Sequence, residues 1–192
     1  MEEKLFNIVL VKPEIPQNTG NIGRLCVNTG SRLHLIKPLG FSLDDKYIRR
    51  AGMDYWKHVD VVIYENVEDF FSRNTGSRLY FFSTKGEKKY WDCDFKAGSF
   101  LVFGNEGSGF PKEFYEKYME QMYTIPMPGK HARSMNLANA VSVALYEGLR
   151  KSGREASNQE RSTALDTLGG SPSARDYLSK ITFLEDCVRI EK

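Results

Sequence analysis

Ser99–Pro111 reads SFLVFGNEGSGFP. A run that is apolar from Phe100 to Phe103 stops abruptly at a loop with glycines at 104, 107 and 109. A strand with no polar face is one buried on both sides, as in a parallel sheet. A loop at the end of such a strand is the usual ligand site of an open α/β sheet. The glycines are spaced G-x-x-G-x-G, whereas the dinucleotide fingerprint is G-x-G-x-x-G. No Lys-Ser or Lys-Thr pair closes the loop, which argues against a triphosphate cradle. Small residues would let backbone groups line a flat ligand directly. Glu106 would repel phosphate and suits a ligand with hydroxyls, an amine or positive charge. Taken alone, the loop reads equally well as a tight strand-to-helix connection before Pro111.

Working outward, similar short apolar runs recur at Phe6–Val11, Leu33–Ile36, Val59–Tyr64, Leu79–Thr84 and Tyr123–Met127. Segments with helical character separate most of them. DDKYIRRAGMDYW opens with the capping residues Asp44 and Asp45, ENVEDFFSR follows the third run, and PKEFYEKYME begins with Pro111, a residue suited to a first helical turn. The alternation predicts an α/β fold, with a mainly parallel sheet flanked by helices. A last helix is predicted in SMNLANAVSVALYEGLRKSG, with Ser134 as N-cap. Leu137, Ala140, Val141, Ala144, Leu145 and Gly148 form its core stripe. Asn139, Val143, Tyr146 and Arg150 share another face, which reads either as a half-solvated flank or as a partner surface. From residue 151 onward the composition turns polar, with Gly, Ser and charge interleaved, as in a linker or extension. YLSKITFLEDCVRIEK recovers some apolar residues at the end. The expected organisation is a domain over residues 1–150 and an extension over 151–192.

The chain has 192 residues and a formal net charge of +2, so any basic site has to be local. Three widely spaced cysteines, Cys26, Cys93 and Cys187, make neither a disulfide framework nor a zinc site. With three scattered histidines, no metal is expected. The apolar run near the N-terminus is too short for a signal peptide or a membrane span, so a cytoplasmic protein without membrane contact is expected.

Two further stretches qualify as strand-end ligand loops. KPEIPQNTGNIGRLCVNTG follows the first strand; Asn18-Thr19-Gly20 reads as a turn, with Arg24 on an early helical turn after it. In IPMPGKHARSMN, Pro126 and Pro128 keep the backbone around Met127 extended. Ile125 and Met127 could sandwich a ring there, and Lys130, His131 and Arg133 add a small basic cluster. Each stretch alone also reads as an ordinary turn or surface loop.

Together, NIVLVKPEIPQNTGNIGRLCVNTG, FGNEGSGFP and IPMPGKHARSMNLANAVSVALYEGLR resemble the three ordered motifs of the SPOUT-class RNA 2′-O-ribose methyltransferases. Within that class the chain is most similar to the small tRNA (cytidine/uridine-34) 2′-O-methyltransferases of the TrmL/YibK type. The resemblance implies a C-terminal deep trefoil knot, S-adenosyl-L-methionine as methyl donor with S-adenosyl-L-homocysteine as product, and a homodimer whose site is completed near the interface. It implies a tRNA substrate, methylated at wobble nucleotide 34 (cytidine or carboxymethylaminomethyluridine) of a leucine tRNA. Carried over by motif, the donor pocket includes Phe82, Gly104, Ile125, Met127, Ser134 and Leu137. Arg24, Tyr146 and Asn136 are the implied catalytic residues, and Asn18 and Glu106 match the polar framework. Lys12, Lys85, Lys130, Arg133 and Arg150 lie in or beside the motifs and are the RNA-binding candidates. A target elsewhere in tRNA or rRNA, a non-catalytic RNA-binding protein on the same fold, and a nucleotide-binding dehydrogenase are the competing readings.

Overall fold

The computed structural model of the chain describes residues 5–43 and 54–167, with side chains placed up to residue 153. The chain divides into two units, Met1–Leu149 and Arg150–Lys192. The first is built on seven strands: β1 (Phe6–Val11), β2 (Arg32–Ile36), β3 (Val61–Tyr64), β4 (Leu79–Phe82), β5 (Lys88–Lys89), β6 (Ser99–Phe103) and β7 (Met122–Thr124). They form one sheet in the order β3-β2-β1-β6-β4-β7-β5, and every pairing is parallel. The helices are α1 (Pro16–Thr29), α2 (Val67–Arg73), α3 (Lys112–Tyr118) and α4 (Leu137–Thr167).

Strand alternation sorts the core into two layers. Phe6, Ile8 and Leu10 of β1, with Leu33, Leu35, Leu101 and Phe103, face Ile22 and Cys26 of α1 and Val141, Ala144 and Leu145 of α4. Val9, Val11, Phe81 and Val102 face Phe70 of α2 and Phe114 of α3. Aromatic rings dominate this second layer: Phe81 stacks on Tyr118 with centroids 4.7 Å apart, and Phe110 stacks on Phe114 at 5.3 Å. Both faces are therefore covered, which is why the central strands read as unbroken apolar runs.

The structure corrects several expectations. Asn18-Thr19-Gly20 is not a turn; it lies inside α1, which starts at Pro16. Proline is preorganised for a first helical position, and Tyr55 donates a hydrogen bond to the Gly20 carbonyl at 2.7 Å. Asn136, not Ser134, caps α4: its Oδ1 accepts from the Ala138 and Asn139 amides at 3.0 and 3.3 Å. The third and last long strands are shorter than expected, because Pro126 and Pro128 end β7 and β3 begins only at Val61. The short edge strand β5 was not anticipated. α4 continues to Thr167, into the segment read as a linker; that stretch contains no proline. Most of the helix expected over DDKYIRRAGMDYW lies outside the described residues, as does YLSKITFLEDCVRIEK.

One connection sets the architecture around the site. β4 and β5 follow each other in sequence yet lie on opposite sides of β7, with Phe82 and Lys88 both flanking Tyr123. Residues 83–87 therefore cross over β7. The crossing is close: a Cβ added at Gly86 would stand 2.7 Å from the Tyr123 carbonyl carbon. Ser83 N also donates to the Tyr123 carbonyl at 2.9 Å.

A buried polar chain ties β1, β2 and β3. His34 Nε2 donates to Asn7 Oδ1 at 3.1 Å, and Tyr64 Oη donates to His34 Nδ1 at 2.9 Å, an arrangement that requires a neutral imidazole. Burial, reinforced by nearby Arg32, pushes the His34 pKa down to about 3. The unfolded chain takes up this proton near pH 6.5. Between those values the unfolded state holds more protons, so stability falls as pH falls. From pH 7.5 to 5.5 His34 should remove about 1.4 kcal/mol, by the linkage relation. Urea titrations at both values should show this loss in the wild type and its absence in His34→Gln; equal losses in the two would contradict the assignment.

Candidate active site

A cavity of about 530 Å³ opens at the C-terminal ends of β4, β6 and β7. Its walls come from residues 82–85, 103–110, 125–127 and 134–140. Three loops far apart in sequence therefore meet at one place, and each is fixed by identifiable contacts.

The loop after β6 folds back on itself. Asn105 and Gly109 exchange backbone hydrogen bonds at 3.0 and 2.9 Å. Asn105 Oδ1 accepts from the Gly107 and Ser108 amides at 2.8 and 3.0 Å, and its Nδ2 donates to the Lys12 carbonyl at 2.7 Å. Gly104 is required by this fold-back, since a Cβ there would stand 2.5 Å from the Gly109 carbonyl carbon. The expectation that these glycines mainly admit a ligand is thus amended: Gly104 first lets the loop close. Tyr115 of α3 joins this loop to the one after β4. Its hydroxyl accepts from the Phe110 amide at 3.3 Å and lies 3.3 Å from Ser83 Oγ. The Lys85 ammonium stands 4.5 Å from the centroid of the same ring.

Glu106 lines the cavity, and its carboxylate is also engaged within the chain. Its carboxylate accepts from the Glu14 and Ile15 amides at 2.9 and 3.2 Å and from Asn18 Nδ2 at 3.0 Å. Asn18 Oδ1 in turn accepts from Asn136 Nδ2 at 2.9 Å. One carboxylate and two amides so connect the loop after β6, the start of α1 and the cap of α4. A charged acceptor holding amides at a helix start is favourable both as a charge-assisted hydrogen bond and toward the helix dipole.

Part of the cavity lining is apolar. Phe82, Ile125, Met127 and Leu137 line the cavity, together with Gly104 and Ser134, so all six donor-pocket candidates share one space. Asn136 lines it too. Arg24 and Tyr146 do not. Arg24 is exposed on α1 with its guanidinium 4.6 Å from the Tyr55 ring centroid, and Tyr146 is 57% exposed on α4. Of the basic candidates, Lys85 lines the cavity and Lys12 lines a neighbouring one. Lys130 and Arg133 are exposed in the turn before α4, and Arg150 is exposed in the second unit. Sequence reasoning missed Asn105 and Tyr115. For Asn105 a signal existed, since N-x-G-S favours an Asx turn; for Tyr115 none did. Among the described residues no group of His, Cys, Asp and Glu is placed to hold a metal ion. An apolar lining edged by backbone amides and carbonyls suits a flat heteroaromatic ring with a polar rim.

Comparison with known proteins agrees with this geometry. Residues 5–146 match the SpoU rRNA Methylase family. A protein of Saccharophagus degradans named tRNA (cytidine(34)-2'-O)-methyltransferase is 50% identical over 150 residues, 78% of this chain and 97% of the relative. A solved structure described as "Structural insights into the 2-OH methylation of C/U34 on tRNA" gives a TM-score of 0.71 at 43% identity, over 76% of this chain and 95% of that one. The AdoMet-bound rRNA methyltransferase of Sinorhizobium meliloti gives a TM-score of 0.67 at 27% identity, over 78% of this chain and 57% of its own.

The glycine loop supplies a direct check. Gly104→Ala should destabilise the protein by about 1–3 kcal/mol or more through overpacking against backbone. Gly107→Ala should cost under about 1 kcal/mol, because a Cβ there meets nothing nearer than 3.4 Å. Urea unfolding of the two variants checks this; equal stabilities would contradict the fold-back.

Proposed function

The chain belongs to the SpoU methylase family, and we propose that it methylates the ribose 2′-hydroxyl of wobble nucleotide 34, cytidine or carboxymethylaminomethyluridine, in a leucine tRNA. The methyl donor is S-adenosyl-L-methionine. The observation that carries the reading is the convergence of residues 82–85, 103–110 and 125–137 on one cavity of suitable size. Phe82, Ile125, Met127 and Leu137 hold the adenine ring by its faces. Ser134 and the backbone around Gly104 supply polar partners for its rim and the adjoining ribose.

When bound, the donor supplies a methyl group on a positively charged sulfur, an electrophile with a neutral leaving group. The protein's main task is then alignment, and good orientation contributes on the order of 7–11 kcal/mol. General-base help typically adds only about 10²–10⁴-fold. The Arg24 guanidinium offers hydrogen-bond donors and no acceptor. Its role in this reading is to hold the 2′-hydroxyl and a neighbouring phosphate, while the hydroxyl proton passes to water or phosphate. Asn136 fixes Asn18 and the start of α4, and so the wall against which the donor lies.

In one chain Arg24 and Tyr146 stand outside the cavity. We assign them to a homodimer, in which a second copy completes each site. Exposed Val27 at 37% and Tyr146 at 57% support that assignment, as apolar side chains on the α1 and α4 surfaces. The reading also includes a deep trefoil knot; the crossing of residues 83–87 over β7 and the return of Asn136 to Asn18 support it. Residues 1–150 are assigned as the methyltransferase domain and 151–192 as an extension. Lys12, Lys85, Lys130, Arg133 and Arg150 are assigned to RNA binding, about four of them through phosphates. A cytoplasmic location follows from a tRNA substrate, and no described helix is long and apolar enough to cross a membrane.

The test is nucleoside mass spectrometry of tRNA incubated with the protein and donor. A 2′-O-methyl mark at position 34 is expected; a mark elsewhere would move the target, and none would overturn the enzyme reading. Arg24→Ala should lower kcat by about 10²-fold through lost orientation and leave donor affinity unchanged. If about four cations neutralise phosphates, log K for RNA should fall against log salt with a slope of roughly −3. A flat response would contradict an RNA substrate.

A further inference from the structure

Across the glycine loop from the donor cavity lies a second cavity of about 440 Å³. It is lined by the end of β1, by the loop after β2 and by the loop after β6. Chain order reverses here, with β2 on one side of β1 and β6 on the other, and this is where open α/β sheets bind ligands. The two cavities share Asn105, Ser108, Gly109 and Phe110, so a single loop is the wall of both. The mechanism above uses only the first.

The second cavity has an apolar lining from Pro38, Leu39 and Phe110, and two charged side chains, Lys12 and Glu14. Among the described residues neither of these two side chains has an ion pair or hydrogen bond. The backbone at Lys12 is left-handed, with φ 52°. Such a conformation costs a non-glycine residue energy and persists only when its surroundings impose it. Here the Lys12 amide donates to the Ile36 carbonyl at 2.9 Å, and its own carbonyl accepts from Asn105 Nδ2 at 2.7 Å. Glu14 Oε2 lies 3.5 Å from where a Cβ on Gly107 would stand, at the tip of the shared loop. A carboxylate at that place disfavours a phosphate. An apolar lining with one acceptor group and one donor group suits a nucleobase.

We propose that this cavity takes the pyrimidine base of the nucleotide being methylated, with Glu14 accepting from the 4-amino group of cytosine and Lys12 donating to the ring acceptors. A carboxylate is the side chain suited to a cytosine amino group. The donor and the base then lie on opposite sides of residues 104–110, and the ribose sits over the loop tip between them. The proposal rests on the tRNA methyltransferase reading, commits it to cytidine over a uridine, whose O4 has no proton to give Glu14, and adds the residues that select the base.

Two anticodon stem-loop RNAs test it, one with cytidine and one with 2-pyrimidinone riboside, which lacks the amino group, at position 34. kcat/KM is measured for wild type, Glu14→Ala and Glu14→Gln, with calorimetric donor affinity alongside. The wild type should prefer cytidine by roughly 10- to 100-fold. Glu14→Ala should erase that preference without changing donor affinity. Should Glu14→Ala fail to fold, Glu14→Gln decides, with a preference at least about threefold smaller expected. A preference that survives in the variants, its absence in the wild type, or a tenfold loss of donor affinity in Glu14→Ala overturns the proposal. A wild type that binds donor but methylates neither RNA brings down the tRNA reading, and this proposal with it.

Discussion

The Glu106 carboxylate is the constraint on which the site depends. It gathers the Glu14 and Ile15 amides and the Asn18 side chain, and through Asn18 it reaches the cap of α4 at Asn136. Loops at the ends of parallel strands are ordinarily the least fixed part of an α/β domain. Here three of them are joined by charge-assisted and amide hydrogen bonds into one frame. Removing the carboxylate would orphan the amides at the start of α1 as well as releasing the loop. The frame also relates Arg24, on α1, to the cavity it does not itself line. Methyl transfer from a sulfonium needs alignment more than acid–base chemistry, so a rigid frame of internally satisfied groups suits it.

The sheet explains where the frame stands. Because both faces are covered, by α1 and α4 on one side and α2 and α3 on the other, only the strand ends are open to a ligand. β7 runs between β4 and β5, which places Ile125 and Met127 directly beyond the loop that crosses it. Proline at 126 and 128 stops the strand pairing and leaves an extended wall. Tyr115, reaching from α3, ties that crossing loop to the glycine loop. The donor cavity is therefore a product of strand order as much as of any single side chain.

Much of this was legible in the sequence, and the exceptions have physical causes. The long strands were readable because residues such as Phe100 to Phe103 are apolar on both faces. α2 was readable from ENVEDFFSR after the third apolar run, and α3 from Pro111 just ahead of it. The start of α1 was misplaced because Asn18 and Gly20 are turn formers locally, while the groups that hold them in the helix, Glu106 on Asn18 and Tyr55 on Gly20, come from far along the chain. The six donor-pocket residues were legible through motif resemblance, not through spacing. Glu106 was read only as facing a ligand because a carboxylate in a loop carries no mark of its partners, which here lie some ninety residues away. The work of Asn105 and Tyr115 was hidden for the same reason.

The central claim is that three distant loops close around one methyl donor. Hydrogen exchange of the full chain, with and without S-adenosyl-L-homocysteine, tests it most directly. The account predicts slowed amide exchange in residues 83–86, 104–110 and 125–137 together, saturating at one ligand concentration. Protection confined to a single one of these loops, or absent from all three, would contradict it.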